Sequence, residues 1–271
     1  MLFASPLALI ALVASVAAAR TGTPTSASAP ALNPHGADLT SVKLLDANPL
    51  TNAQRLARGL PPNRPRFHSA RHLAPRASPA ADPNPACPVV TGTLRVAGAG
   101  VPAGSLVSRA PNAFGEYGVT RDAADALRVQ YAACADGAPG DLLGLNGIAD
   151  HRFLGAITGF DSPAGDLAPG SSAYAYLGGT EQTPPNAPPA TVGNSFTSAT
   201  GIAAGAESAI WRVDGASGAV DARWVDGNGA TPVIHVMYFA PEDFLLLTGD
   251  VGAFAAAYGG GEEVTLTFVS A

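Results

Sequence analysis

From Cys87 to the C-terminus, apolar residues recur at every second position in one short run after another. This period of two limits the fold more than any other feature. Successive side chains of an extended strand point to opposite faces, so such a run buries one face and wets the other. Leu127, Val129, Tyr131 and Ala133 alternate with Arg128, Gln130 and Ala132. Val264, Leu266 and Phe268 alternate with Thr265 and Thr267. Ala209, Trp211 and Val213 alternate with polar or intervening residues, as do Val220, Ala222 and Trp224 beyond a glycine-containing turn at 214–218, and a loop of even length puts all six on one face. This spacing predicts a hairpin whose tryptophans belong to the core. Residues 233–239 are apolar on both faces and predict a central strand covered on both sides. Residues 244–247 read as another short apolar strand. Asp250 caps a short helix in which Val251, Phe254 and Tyr258 share a face, and three glycines at 259–261 end it. Further strands are expected at 88–96, 105–109, 114–120, 153–160 and 173–178. Many short strands between Gly/Pro turns predict a mainly β fold over 87–271: one β-sandwich or jelly-roll-like domain with one or two short helices.

The chain ahead of this body is different. Residues 6–19 (PLALIALVASVAAA) contain a ten-residue apolar stretch, Leu7 to Val16, and a small-residue cleavage site at 17–19. This reads as a signal peptide over 1–19, too short for a membrane span of about 20 residues. Residues 20–86 hold 11 of the 24 prolines, few aromatics and no periodicity. They are expected to form a disordered linker or pro-segment. One island in it predicts a short helix near 52–58, with Thr51 and Gln54 as a capping box and Gly59 as the stop. Arg55 and Arg58 share a face of that helix and are its candidate docking residues.

Charge divides at the same place. Residues 1–86 carry Lys43 and seven arginines against three aspartates, net +5; the body carries seven arginines against 18 carboxylates, net −11. A solvated tail on a soluble body is the simpler reading, and self-docking or a polyanionic partner the other. The acidic, lysine-free body speaks against nucleic acid. Cys87 and Cys134 are the two cysteines. In a secreted chain they predict one disulfide, worth about 4 kcal/mol in the loop-entropy view, with two buried thiols as the alternative.

Catalytic signals are sparse. Gly-x-Ser-x-Gly is absent, and His151 and His235 are the only histidines of the body. His235 reads as a core histidine and Asp150-His151 as a loop pair. Most carboxylates lie in turn sequences (Asp136-Gly, Asp214-Gly, Asp226-Gly), which turn chemistry explains. No catalytic residue, metal site or cofactor is expected. Tyr117, Tyr174 and Tyr176 are the candidate exposed aromatics for ligand binding, on the expectation that they lie in loops or on one strand face.

Two stretches carry a resemblance: TNAQRLARGLPP (51–62), and SAIWRVDGASGAVDARWVDGNG (208–229) followed by LTGDVGAFAAAYG (247–259), with YAYLGGTEQTPP in between. In these the chain resembles a group of secreted fungal proteins of the basidiomycete type with no assigned activity. Its strands are richer in Ala and Gly than those of similar proteins. The resemblance implies a secreted, extracellular protein, with the cell wall as a candidate location, and brings no catalytic residues. The function expected is that of a non-enzymatic extracellular β protein. A lectin-like carbohydrate-binding module and a glycoside hydrolase are the alternatives, with cell-wall polysaccharide or another extracellular protein as partner. No membrane association is expected once the signal is cleaved.

Overall fold

The structure is a computed structural model and describes residues 31–45, 52–59, 61, 87–134, 137–162 and 166–271. The signal peptide, Thr51 of the capping box and residues 62–86 of the expected linker lie outside these residues. A short helix, α1 (Asn52–Ala57), stands where the island predicts one. Arg55 Nε donates to the Pro61 carbonyl at 2.6 Å, and Arg58 and Leu56 are exposed.

The body is mainly β, as its period of two predicts. Its strands are β1 (Val89–Gly98), β2 (Leu106–Pro111), β3 (Tyr117–Thr120), β4 (Arg128–Ala132), β5 (Leu142–Gly144), β6 (Phe153–Thr158) and β7 (Tyr174–Thr180). After helix α2 (Ser195–Thr200) come β8 (Ala206–Glu207), β9 (Trp211–Val213), β10 (Ala219–Ala222), β11 (His235–Phe239) and β12 (Phe244–Thr248). Helix α3 (Val251–Tyr258) and β13 (Glu262–Ser270) complete the chain. The expected hairpin is present, with Val220 opposite Val213 and Ala222 opposite Trp211. Asp250 caps α3, its Oδ1 accepting from Ala253 N–H at 2.9 Å, and Gly259 stops it at φ 74°.

The sandwich expectation is corrected. Strands β1, β4, β5, β6, β7, β12, β11 and β13 pair in that order, every pair antiparallel, and β13 returns to pair with β1. The sheet therefore closes into an eight-stranded barrel rather than stacking as two layers. Both closing strands fork. β1 leaves β4 after Thr93 and meets β2 at Arg95, while β13 pairs with β11 through Val264 and with β10 at Leu266 and Thr267. The β2–β3 and β9–β10 hairpins thus continue the wall at opposite ends. Alternation alone does not separate the two architectures, because both bury one face of each strand.

Leu94, Val129, Leu154, Leu177, Leu247 and Leu266 are buried in one cluster with Trp211 and Trp224, and side chains fill the barrel interior. A second cluster lies outside the wall formed by β6, β7, β12 and β11. There Tyr174, Tyr176, Phe244 and Leu246 meet Phe196 of α2, Phe254 and Tyr258 of α3, and Leu32. β7 is consequently buried over its whole length, with Ala175 and Leu177 inward and Tyr174 and Tyr176 outward.

Leu32 introduces a second difference. Residues 31–45 pack on the body instead of belonging to a linker. Thr40 N–H donates to the Ala199 carbonyl at 2.8 Å and Leu45 N–H to the Gly147 carbonyl at 2.7 Å. The segment is a strap over the outer wall. Burial of Leu32 and backbone hydrogen bonds dock it.

Closure leaves little room between β1 and β13. A side chain on Gly92 would meet the Val269 carbonyl and the Phe268 ring. Gly92→Val is expected to lower stability by at least about 2 kcal/mol, measured as the denaturant midpoint of the purified chain. An unchanged midpoint would show that the seam is not tight.

Candidate functional site: a groove at the barrel mouth

One end of the barrel carries a groove of about 850 Å³, bounded by the end of β4, the stretch before β5 and the β9–β10 hairpin. Each wall has a local cause. The Cys87–Cys134 disulfide forms as expected, with a Cα–Cα distance of 4.3 Å. It joins the start of β1 to the end of β4 just beyond the Val89–Ala132 pair. Gly140 and Trp211 exchange backbone hydrogen bonds at 2.9 and 3.1 Å, which holds the stretch before β5 against the hairpin. The Trp211 indole N–H donates to the Leu154 carbonyl at 2.6 Å, so this ring forms floor rather than contact surface.

Gln130 and Tyr131 of β4, Arg212 of β9 and Asp221 of β10 border the groove. Tyr131 is half-buried, and its ring packs edge-on against Phe268 at 5.0 Å between centroids. Burial pushes its phenol above the usual range, so it stays a neutral donor. Arg212 and Asp221 are exposed cross-strand partners. Two other carboxylates of the groove are engaged. Asp141 accepts from Ser208 Oγ at 2.5 Å and from Gln182 Nε2 at 2.7 Å. Asp214 accepts from Ser217 N–H and Oγ–H, both at 2.7 Å, and from Ala216 N–H; these bonds hold its carboxyl below the usual range. The turn explanation of Asp214 stands.

The tyrosines expected to bind ligand lie elsewhere. Tyr117, Tyr174 and Tyr176 are 2%, 0% and 0% exposed, so none offers a platform. The Tyr117 hydroxyl accepts from Ile148 N–H at 3.0 Å. Tyr174 and Tyr176 share a strand face, as foreseen, but both hydroxyls donate to the Leu32 carbonyl, at 2.7 and 2.5 Å. Phenols need a partner when buried, and the strap supplies it. Tyr131 was legible only as one member of an alternating run, and nothing in that run marks it as lining a groove.

His235 is not a core histidine. It is half-exposed at the start of β11, with Nδ1 2.6 Å from Glu263 Oε1. His151 Nε2 lies 2.8 Å from Ser198 Oγ on α2. Burial lowers the pKa of His151, against the opposing charges of Glu181 and Asp150. Its Nδ1 is buried without a hydrogen-bond partner, so no carboxylate orients the ring as a general base requires. The pair ties the 146–152 segment to α2.

Two carboxyls showed no sign of burial in the sequence, where Glu207 reads only as an acid near a strand start. Glu116 and Glu207 are 0% and 2% exposed, and burial pushes each up to about 8. Glu207 Oε1 accepts from Val225 N–H at 3.2 Å, and the nearby Asp226 charge adds to the rise. Asp226 is itself raised by burial, and its Oδ1 accepts from Leu167 N–H at 2.7 Å. Neither glutamate borders the groove. Among the described residues no group of three or more His, Cys, Asp or Glu side chains is placed to hold a metal, and no helix is long and apolar enough to cross a membrane.

The shift of Glu207 has a consequence for stability. Below its ordinary value of 4.5 the folded and unfolded chains both carry the proton. Above it only the folded chain does, so stability falls as pH rises and the loss completes through about pH 8. Glu207→Gln is expected to recover roughly 2–4 kcal/mol at pH 9 relative to the wild type, read from denaturant curves at pH 5 and pH 9. Parallel losses in both proteins would contradict this. Comparison of the chain with protein-family models, with curated proteins and with solved structures returns no match.

Proposed function

We propose that this chain is a secreted, non-enzymatic β-barrel protein that binds carbohydrate in the groove beside the Cys87–Cys134 disulfide. The observation that carries the reading is the groove itself. A half-buried neutral tyrosine lies among Gln130, Arg212 and Asp221, at the mouth of a barrel whose interior is filled. Ligand sites favour barrel mouths and combine apolar or aromatic wall with a few placed polar groups. A sugar ring offers matching chemistry: a C–H face for the phenol ring and hydroxyls for amide, guanidinium and carboxylate.

Binding without turnover is supported by the carboxylates. Glycoside hydrolysis needs two carboxyl groups free to act across the bond. Among the described acids of the groove, Asp141 and Asp214 are held by hydrogen bonds of the fold, and Asp221 is exposed. Secretion rests on the apolar stretch at 7–16 and on a disulfide, which persists in oxidising compartments. With the resemblance to secreted basidiomycete-type proteins, cell-wall polysaccharide is the proposed partner.

The test is a depletion assay of the full secreted chain on insoluble glucan, chitin and mannan, with release of reducing ends followed in the same tubes. Retention on one of them is expected, and Tyr131→Ala should weaken it about tenfold while leaving the circular dichroism spectrum unchanged. Retention on none of the three overturns the reading. Release of reducing ends that depends on Asp221 would favour the hydrolase instead.

A further inference from the structure

The opposite end of the barrel holds a cluster that the groove does not use. Glu116 immediately precedes β3 and is fully buried. Its Oε2 accepts two amide N–H groups, from Asn112 Nδ2 at 2.7 Å and from Asn33 Nδ2 at 3.2 Å. The second hydrogen of Asn33 Nδ2 goes to Glu242 Oε2 at 2.9 Å, in the turn between β11 and β12. Two atoms of the cluster are buried without a partner: Glu116 Oε1 and Asn33 Oδ1. Both are acceptors if Glu116 is ionised, and a buried, unpartnered anionic oxygen is among the costliest things a fold can hold.

A neutral acid resolves both vacancies with one proton. Oε2 then serves as the carbonyl oxygen, which suits its two N–H donors. Oε1 carries the O–H and becomes a donor. Asn33, whose amide N–H already bonds the other oxygen of the same carboxyl, carries the cluster's other unpartnered acceptor, Oδ1, and we take it as the partner of that O–H. A carboxylic acid and a primary amide pair in this two-point manner, N–H to carbonyl and O–H to carbonyl. Deprotonation would leave two buried acceptors with no donor between them.

Asn33 belongs to the 31–45 strap, next to the Leu32 carbonyl that Tyr174 and Tyr176 hold. We propose that Glu116 and Asn33 form a proton-dependent latch: the neutral acid pins the strap to the barrel, and loss of its proton to solvent releases the strap's leading end from the outer aromatic cluster. The groups facing Glu116 are consistent with this. Glu242 faces it from the β11–β12 turn, and the Tyr174 and Tyr176 phenols from β7. From the strap and from the turn before β3 it meets the amides of Asn33 and Asn112. Glu242 and the phenols add only negative charge when they ionise, so they disfavour the Glu116 anion. Burial, the largest influence, acts in the same direction and raises the carboxyl to about 8. The latch is therefore closed in acid and neutral media and opens on the alkaline side.

The test is amide hydrogen exchange of the full chain between pH 6 and 9.5, corrected for the intrinsic pH dependence of exchange. Protection of the 31–40 amides in the wild type is expected to fall at least about tenfold, while β13 amides hold. Glu116→Gln mimics the neutral acid and should keep the strap protected throughout. Wild-type protection that stays flat, or a Glu116→Gln strap that loosens with pH as the wild type does, would overturn the latch. Carbon-13 titration of the Glu116 carboxyl in the wild type is independent of how any variant folds: a midpoint near 8 supports the proposal, and one below about 6 ends it.

Discussion

Seven residue pairs between β1 and β13 turn an open sheet into a barrel, and the rest of the molecule depends on that seam. An open sheet of this size has two edges whose backbone groups need cover. Pairing the first strand of the body with the last removes both at once. It also fixes an inside and an outside, which a strand's alternation by itself leaves undefined. A side chain on Gly92 or Gly98 of β1 would run into the backbone of β13. The forks of β1 and β13 follow from the same closure. Each strand is long enough to serve the ring along part of its length and a flanking hairpin along the rest.

Closure creates a second demand on the outer wall. β7, β11 and β12 carry large apolar side chains on both faces, so the outside of the barrel needs cover where these strands lie. α2, α3 and the 31–45 strap provide it. The strap does more than shield. Its Leu32 carbonyl satisfies two buried phenols, and its Asn33 amide donates to one oxygen of a buried carboxyl. Polar groups in a low-dielectric setting are stable only with such partners. The strap and the buried Glu116 beneath it are thus joined by hydrogen bonds of the fold.

Much of this was legible residue by residue. The 209–213 and 219–222 hairpin, the Asp250 cap, the Gly259 stop and the core position of both tryptophans follow from spacing over a few residues, and all are present. Shorter elements were not visible. β5 and β8 have three and two residues, too few to show a period. α2 (SFTSAT) is built of weak helix formers. It stands because Asn194 Oδ1 caps Thr197 N–H at 2.8 Å and Gly201 ends it at φ 75°. The groove lay equally out of reach. Tyr131 looks like any other inward residue of β4 until the β9–β10 hairpin is placed beside it. Tyr174 and Tyr176 looked like surface candidates because their partner lies more than 140 residues away.

The sequence by itself determined the local grammar: strands of period two, the turns between them and the helix caps. These depend on neighbours along the chain, and φ/ψ preference and side-chain direction express them directly. The tertiary structure decided which strand pairs with which, that the sheet closes, that the 31–45 strap docks, and that Glu116 and Glu207 are buried. Alternation is satisfied by a sandwich and by a barrel alike. The choice rests on contacts between distant residues, whose energies appear only when the partners meet.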